Sequence, residues 1–233
     1  MARGPTRRFD WWEFLLLCGI FLAVAFLWNT VWIYPLKLFV VLLHEVSHGL
    51  CAILTGGRIE EIRVFREEGG VTVTTGGNAF LITSAGYLGS MLWGVTILLV
   101  STRTKLSNWL VMLLGIGAVA LALFRMPLEG RWFTAGCGIV LAALGPLPRV
   151  VPEFVLRVIG VTSCLYAILD IKSDVLDRPN AASDATALAR MTHVPSLIWG
   201  ALWIGIALVV TFLAAKHAVT GGRADSEVQS RPR

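Results

Sequence analysis

The chain has 233 residues, 56% of them hydrophobic and only 15% charged, with a mean hydropathy of +0.72, whereas an average soluble domain carries about 25% charged residues. A water-soluble fold of this length has no interior large enough for so much apolar surface, so the bilayer is the expected solvent. The net charge of +5 comes from Lys and Arg lying between apolar blocks, where orientation in a membrane explains them, and no nucleic-acid partner is expected.

Arg3, Arg7 and Arg8, an apolar run, and the small residues Ala23 and Ala25 imitate a signal peptide. The hydrophobic run continues through Phe26, Leu27, Trp28, Val31, Trp32 and Ile33 to membrane-spanning length, so a retained first span is expected. Spans are predicted at 14–34, 36–55, 79–100, 108–124, 132–147, 151–171 and 195–215. The fifth is short, holds Gly136, Gly138 and Gly145, and ends at Pro146 and Pro148, which leaves a re-entrant segment open. The fold class expected is an all-α polytopic membrane protein of six or seven transmembrane helices with a short interfacial β-hairpin. Residues 1–13 form a cytoplasmic segment in this reading, 14–216 a membrane-embedded domain and 217–233 a disordered tail.

The basic residues near the span ends place the N-terminus inside a cell membrane, with 56–78, Arg125, Arg131, Lys172, Arg178 and Arg190 on the same side. Arg103 and Lys105 run against that rule. Cys18, Cys51, Cys137 and Cys164 all fall within apolar blocks and form no Cys-x-x-Cys pair, so a disulfide framework is not expected.

Between Arg58 and Gly77 the pattern changes. Ile62, Val64, Val71 and Val73 recur at a spacing of two on either side of Glu67, Glu68, Gly69 and Gly70, which is the signature of a β-hairpin. It is too polar to cross a membrane and belongs at the interface or in a cavity between spans.

The chemistry is concentrated in the second span. His44, Glu45 and His48 sit within Leu36–Thr55, where a polar side chain costs about 2.5–3.5 kcal/mol to insert. On a helix His44 and His48 share a face and can present both imidazoles to one metal ion. Glu45 beside them can take a proton from a water that the metal activates and deliver it to a leaving amine. The alternative is a closed structural network of hydrogen bonds among the three.

Catalytic zinc takes three protein ligands. The candidate for the third is Asp170, near the end of a late span, with Asp174 and Asp177 on the same face but closer to water. Cys51 shares the face of His44 and His48, although a cysteine in an apolar helix is more often a packing residue. His193 and His217 lie outside the apolar cores and read as surface histidines. The run Ser84-Ala85-Gly86-Tyr87-Leu88-Gly89-Ser90 puts small residues in the third span, where helix backbones can approach closely. Asn78 or the backbone there could in addition hold substrate.

His44-Glu45-Val46-Ser47-His48-Gly49 in a span, the small-residue run in the next, and Leu169-Asp170 late in the chain together resemble the site-2 protease family of intramembrane zinc metalloproteases, in its compact branch without a PDZ domain. The resemblance covers roughly 36–215. It implies that His44, His48 and Asp170 hold Zn2+ and that Glu45 is the general base, with a membrane protein bearing a transmembrane helix as substrate. Here Asp170 is followed by Ile171, whereas many family members have Asp-Gly. Ser183-Asp184-Ala185 also looks like part of the branch's pattern, with no role implied for Asp184. The competing functions are a catalytically inactive scaffold or chaperone that retains the zinc site, and a transporter with a metal on its pathway.

Overall fold

The structure is a computed structural model that describes residues 9–177 and 183–220. Eight helices and one two-stranded antiparallel sheet follow one another as α1 (Trp11–Leu27), α2 (Tyr34–Leu54), β1 (Arg58–Val64), β2 (Gly70–Thr75), α3 (Ala79–Arg103), α4 (Ser107–Arg125), α5 (Leu128–Leu144), α6 (Val150–Lys172), α7 (Asp184–Thr192) and α8 (Ser196–Val219). Five of them, α2, α3, α4, α6 with the turn after it, and α8, are long and apolar enough to cross a membrane. α1 and α5 have 17 residues each, about 26 Å at 1.5 Å per residue. The chain is a polytopic, all-helical membrane protein with one hairpin, and each of the seven expected spans corresponds to a helix. The short α7 was not foreseen. Of the expected tail, 217–219 belong to α8 and 221–233 lie outside the described residues, as do Arg3, Arg7, Arg8 and Arg178.

The outward faces are as apolar as the interior: Phe26, Phe124, Leu113 and Phe212 are all exposed, which is the arrangement a lipid solvent permits. Helix α2 lies at the centre, packed by α3, α6 and both strands, and Leu38 to Leu43 are buried without interruption. Backbones meet closely where glycines face one another. A Cβ on Gly94 would stand 2.6 Å from Cys164 Sγ, and one on Gly160 2.9 Å from the Gly94 carbonyl, so α3 and α6 touch there. Gly115 and Gly138 bring α4 and α5 together in the same way. The start of α5 bends at Glu129 and Gly130, where Gly130 has φ 77° and lies against the Val64 carbonyl of β1.

The hairpin pairs Ile62 with Thr72 and Val64 with Gly70. Ile62 and Val64 are buried against the helices, so the other residues on that face of the sheet are Gly70 and Thr72, while Val71 and Val73 are exposed on the opposite face. The two halves of the alternating pattern therefore do not share a side. At the tip, Tyr34 Oη donates to the Arg66 carbonyl at 2.8 Å, and Lys37 forms an ion pair with Glu68. At the base, Ile59 fills the space left by Gly49, where a Cβ would lie 2.6 Å from its Cδ1.

Helix α1 is tied to α6 by a bidentate ion pair in which Arg157 Nε and Nη2 donate to Glu13 at 2.7 and 2.9 Å, with only 6% and 14% of the side chains exposed. Removing one partner of a buried pair leaves the other charge stranded. Glu13→Gln should destabilise the protein by about 2–4 kcal/mol, somewhat less than a full orphaning because Glu153 lies 3.8 Å from Arg157 Nη1. Thermal unfolding in detergent measures this. Arg58→Ala, which breaks the exposed pair with Glu60, should leave the midpoint unchanged.

Candidate metal centre

The site is built on one face of α2 and closed by α3, α7 and β2. His44 Nε2 and His48 Nε2 are 3.2 Å apart. Asp184 Oδ2, from the first turn of α7, stands 3.3 Å from each of them. The tautomers follow from the outer contacts. His48 Nδ1 lies 2.7 Å from the Ile82 carbonyl, which can only accept, so Nδ1 carries the hydrogen and Nε2 an open lone pair. Ser90 donates its hydroxyl hydrogen to the Gly86 carbonyl at 3.0 Å, so its oxygen accepts from His44 Nδ1 at 3.3 Å. That leaves the second Nε2 unprotonated as well.

Three lone pairs thus converge on one buried point with no hydrogen between them, and Asp184 Oδ2 is a buried oxygen without a hydrogen-bond donor. Unpaired buried acceptors are costly, and a cation would satisfy all three. The dimensions suit zinc: a tetrahedral ion with arms of about 2.0–2.1 Å has ligand-to-ligand edges of about 3.3–3.4 Å. Room for an ion is left by Gly86, where a Cβ would lie 2.3 Å from Asp184 Oδ2 and 2.5 Å from His44 Nε2.

Asp184 is delivered by local sequence. Ser183 caps α7 and forms a reciprocal capping box with Thr186, while Ala185 and Leu188 are fully buried in a cluster with Tyr87, Ile171, Val175 and Trp203.

The carboxylate that meets the two imidazoles is therefore Asp184 and not the expected Asp170. Asp170 lines the same cavity and is hydrogen-bonded by Tyr166, while Asp174 accepts from the Tyr87 hydroxyl. Each has a tyrosine partner, and both acids lie on the cavity wall, Asp170 near the end of α6 and Asp174 in the π-helical turn Ser173–Asp177 that follows it. Cys51 is half-buried and is not among the residues lining the cavity. His193, at the C-terminal cap of α7, and His217 in the last turn of α8 are exposed. Asn78 caps α3 by accepting from Leu81 N at 3.1 Å. Of the small-residue run, Gly86 opens the site and Gly89 accommodates Ser47, whose Cβ would be 2.3 Å from an added one.

Glu45 sits beside the triangle, buried to 4% exposure, with a carboxylate oxygen within 4.8 Å of the histidine nitrogens. Thr72 of β2 donates toward Glu45 Oε2 at 2.7 Å and toward the Glu45 carbonyl at 2.9 Å. The whole group opens into a cavity of about 930 Å³ whose walls include Gly69, Gly70, Val71, Thr72, Asp170 and Asp184.

Fold and site together define a polytopic membrane protein with a His-Glu-x-x-His helix at its centre. The family model described as Peptidase M50B-like matches residues 17–214, and the chain belongs to that family, a branch of the site-2 proteases. Neither a curated protein nor a solved structure matches the chain.

Gly86→Ala places a methyl group inside the ligand triangle. The variant should remain folded, because the obstruction is to the side chains of Asp184 and His44 and not to a helix backbone, yet lose most of the zinc that the wild type would hold. Elemental analysis of the purified protein, compared with wild type, provides the measurement.

Proposed function

We propose that this protein is an intramembrane zinc metalloprotease that hydrolyses peptide bonds in or beside the transmembrane segments of membrane proteins. The observation that supports it most directly is the convergence of His44 Nε2, His48 Nε2 and Asp184 Oδ2 at 3.2–3.3 Å with a buried carboxylate, Glu45, alongside. Two imidazoles and one carboxylate satisfy the three-ligand count of a catalytic site and leave a coordination position open.

His44, His48 and Asp184 would hold the ion. Zinc bound there supplies Lewis-acid polarisation of a carbonyl and acidifies water toward about pKa 7. Glu45 accepts the proton that water gives up and returns it to the leaving amine. Glu45 and His48 are buried and His44 and Asp184 largely so, which limits competition from bulk water for those hydrogen bonds.

The peptide bond of an intact helix is shielded by its own hydrogen bonds, so the substrate has to unwind. Strand β2 offers it a place. Strand β1 lies toward α4 and α5, while β2 runs along the cavity wall with no further strand paired to it among the described residues. An extended segment adding to that edge would gain main-chain hydrogen bonds beside Glu45.

The ligand assignment is tested by zinc content. Asp184→Ala should release the metal, whereas Asp170→Ala should retain most of it. The reverse result would restore Asp170 as the ligand.

Enzyme and inert scaffold are separated by Glu45→Gln, which keeps the shape and removes the base. The variant should stay folded and zinc-loaded but cleave a co-expressed membrane substrate about 10²–10⁴ times more slowly. Equal cleavage by wild type and variant would favour the scaffold.

A further inference from the structure

We infer that Thr72, together with Gly70, is the positioning device for Glu45: strand β2 fixes which carboxylate oxygen of the base is tied and which is free to move a proton. The inference rests on Glu45 acting as the general base.

Gly70 and Thr72 are two apart on one strand and therefore point to the same face, the face that packs on α2. Thr72 has one hydroxyl hydrogen and directs it at Glu45, 2.7 Å from Oε2 and 2.9 Å from the main-chain carbonyl. The second carboxylate oxygen, Oε1, lies over Gly70, where a Cβ would come within 2.5 Å of it and 2.6 Å of Glu45 Cγ. Any side chain at 70 would thus displace the base. The carboxylate is held through Oε2 and kept from lateral movement by the strand backbone, while Oε1 accepts no hydrogen bond among the described residues and is the atom left for proton transfer.

A glutamate on a helix has three rotatable torsions before its carboxylate, and holding such a group within a fraction of an ångström is what separates effective from ineffective general base catalysis. The hairpin is a firm support for this. Ile62 is fully buried, Ile59 is seated on Gly49, and the tip is fastened by Tyr34 to the Arg66 carbonyl and by Lys37 to Glu68. The arrangement also accounts for the composition of β2, whose inward face carries a glycine and a threonine where a packing strand would carry valines. Its valines, Val71 and Val73, face away.

Thr72→Val keeps the β-branched shape and deletes only the hydroxyl, and Thr72→Ser restores it. The substrate probe is a quenched fluorogenic polypeptide with an apolar segment of about 20 residues, assayed with the full-length protein in detergent. Thr72→Val should lower kcat about 10-fold to 100-fold with KM within twofold of wild type and zinc content unchanged, and Thr72→Ser should recover most of the loss. A KM effect alone, or a valine variant as fast as wild type while Glu45→Gln is inactive, overturns the positioning role and leaves the protease reading intact. If Glu45→Gln is as fast as wild type, it is the protease reading that fails.

A second measurement needs no turnover. In a double-variant cycle on the thermal midpoint of the zinc-free protein, Thr72→Val should have an effect in the wild-type background that largely disappears in Glu45→Ala. Additive midpoints would mean that the hydroxyl and the carboxylate are not coupled, and would overturn the inference whatever the assay gives.

Discussion

Three hydrogen-bond acceptors aimed at one another from 3.2–3.3 Å are the constraint around which this molecule is arranged. Left alone, they would repel or take up protons, and in a low-dielectric interior each open lone pair costs on the order of 1–3 kcal/mol. The surrounding structure nevertheless enforces the convergence. The Ile82 carbonyl and Ser90 fix the outer nitrogen of each imidazole as the donor, so neither ring can turn its own hydrogen inward without losing a partner. A cation would supply what the rest of the chain withholds from this point.

Close backbone approach is the means. Gly86 and Gly89 sit three apart on α3 and so face α2 together, one clearing space at the ligand triangle and the other admitting Ser47. Gly49 on α2 receives Ile59, and Gly70 on β2 makes room for Glu45. In a bilayer there is no hydrophobic gain from pressing helices together, so contact of this kind comes from van der Waals packing between small residues. Glycine at these positions puts the imidazoles of one element within reach of the carbonyls and hydroxyls of its neighbours. The same residues that bring α2 and α3 together therefore decide the chemistry of the space between them.

The sequence revealed the helices, the hairpin and the paired histidines of the site, because each leaves a periodic mark: long apolar runs, a spacing of two around Glu67–Gly70, and two histidines four apart. It did not reveal Asp184. Depth along a span is a poor guide to which carboxylate turns toward the histidines, since Asp170 and Asp174 on α6 are satisfied by Tyr166 and Tyr87. The acid that reaches the site comes from a nine-residue helix too short and too polar to register as a span. A local signal was present in Ser183-Asp184-Ala185-Thr186, a helix-start pattern followed by Leu188 at core spacing, but nothing in one dimension says that this helix docks under Tyr87. The hairpin was legible as a hairpin, while its inward face was not, because antiparallel register pairs Val64 with Gly70 and so turns Val71 and Val73 outward.

Placing the third acid on α7 has a consequence that a ligand on α6 would not have. A carboxylate in the first turn of a helix lies at the positive end of the helix dipole, which favours its ionised form. This end of α7 therefore favours an ionised Asp184 despite its burial. The helix itself is held by Ala185 and Leu188 in the cluster beneath Tyr87 and Trp203, and Tyr87 stands edge-on to His44 with ring centroids 5.4 Å apart. One tyrosine thus borders both the ring that offers a nitrogen and the helix that offers an oxygen. Through it, the apolar packing of α3, α7 and α8 sets the distance between side chains that belong to segments 140 residues apart in the chain.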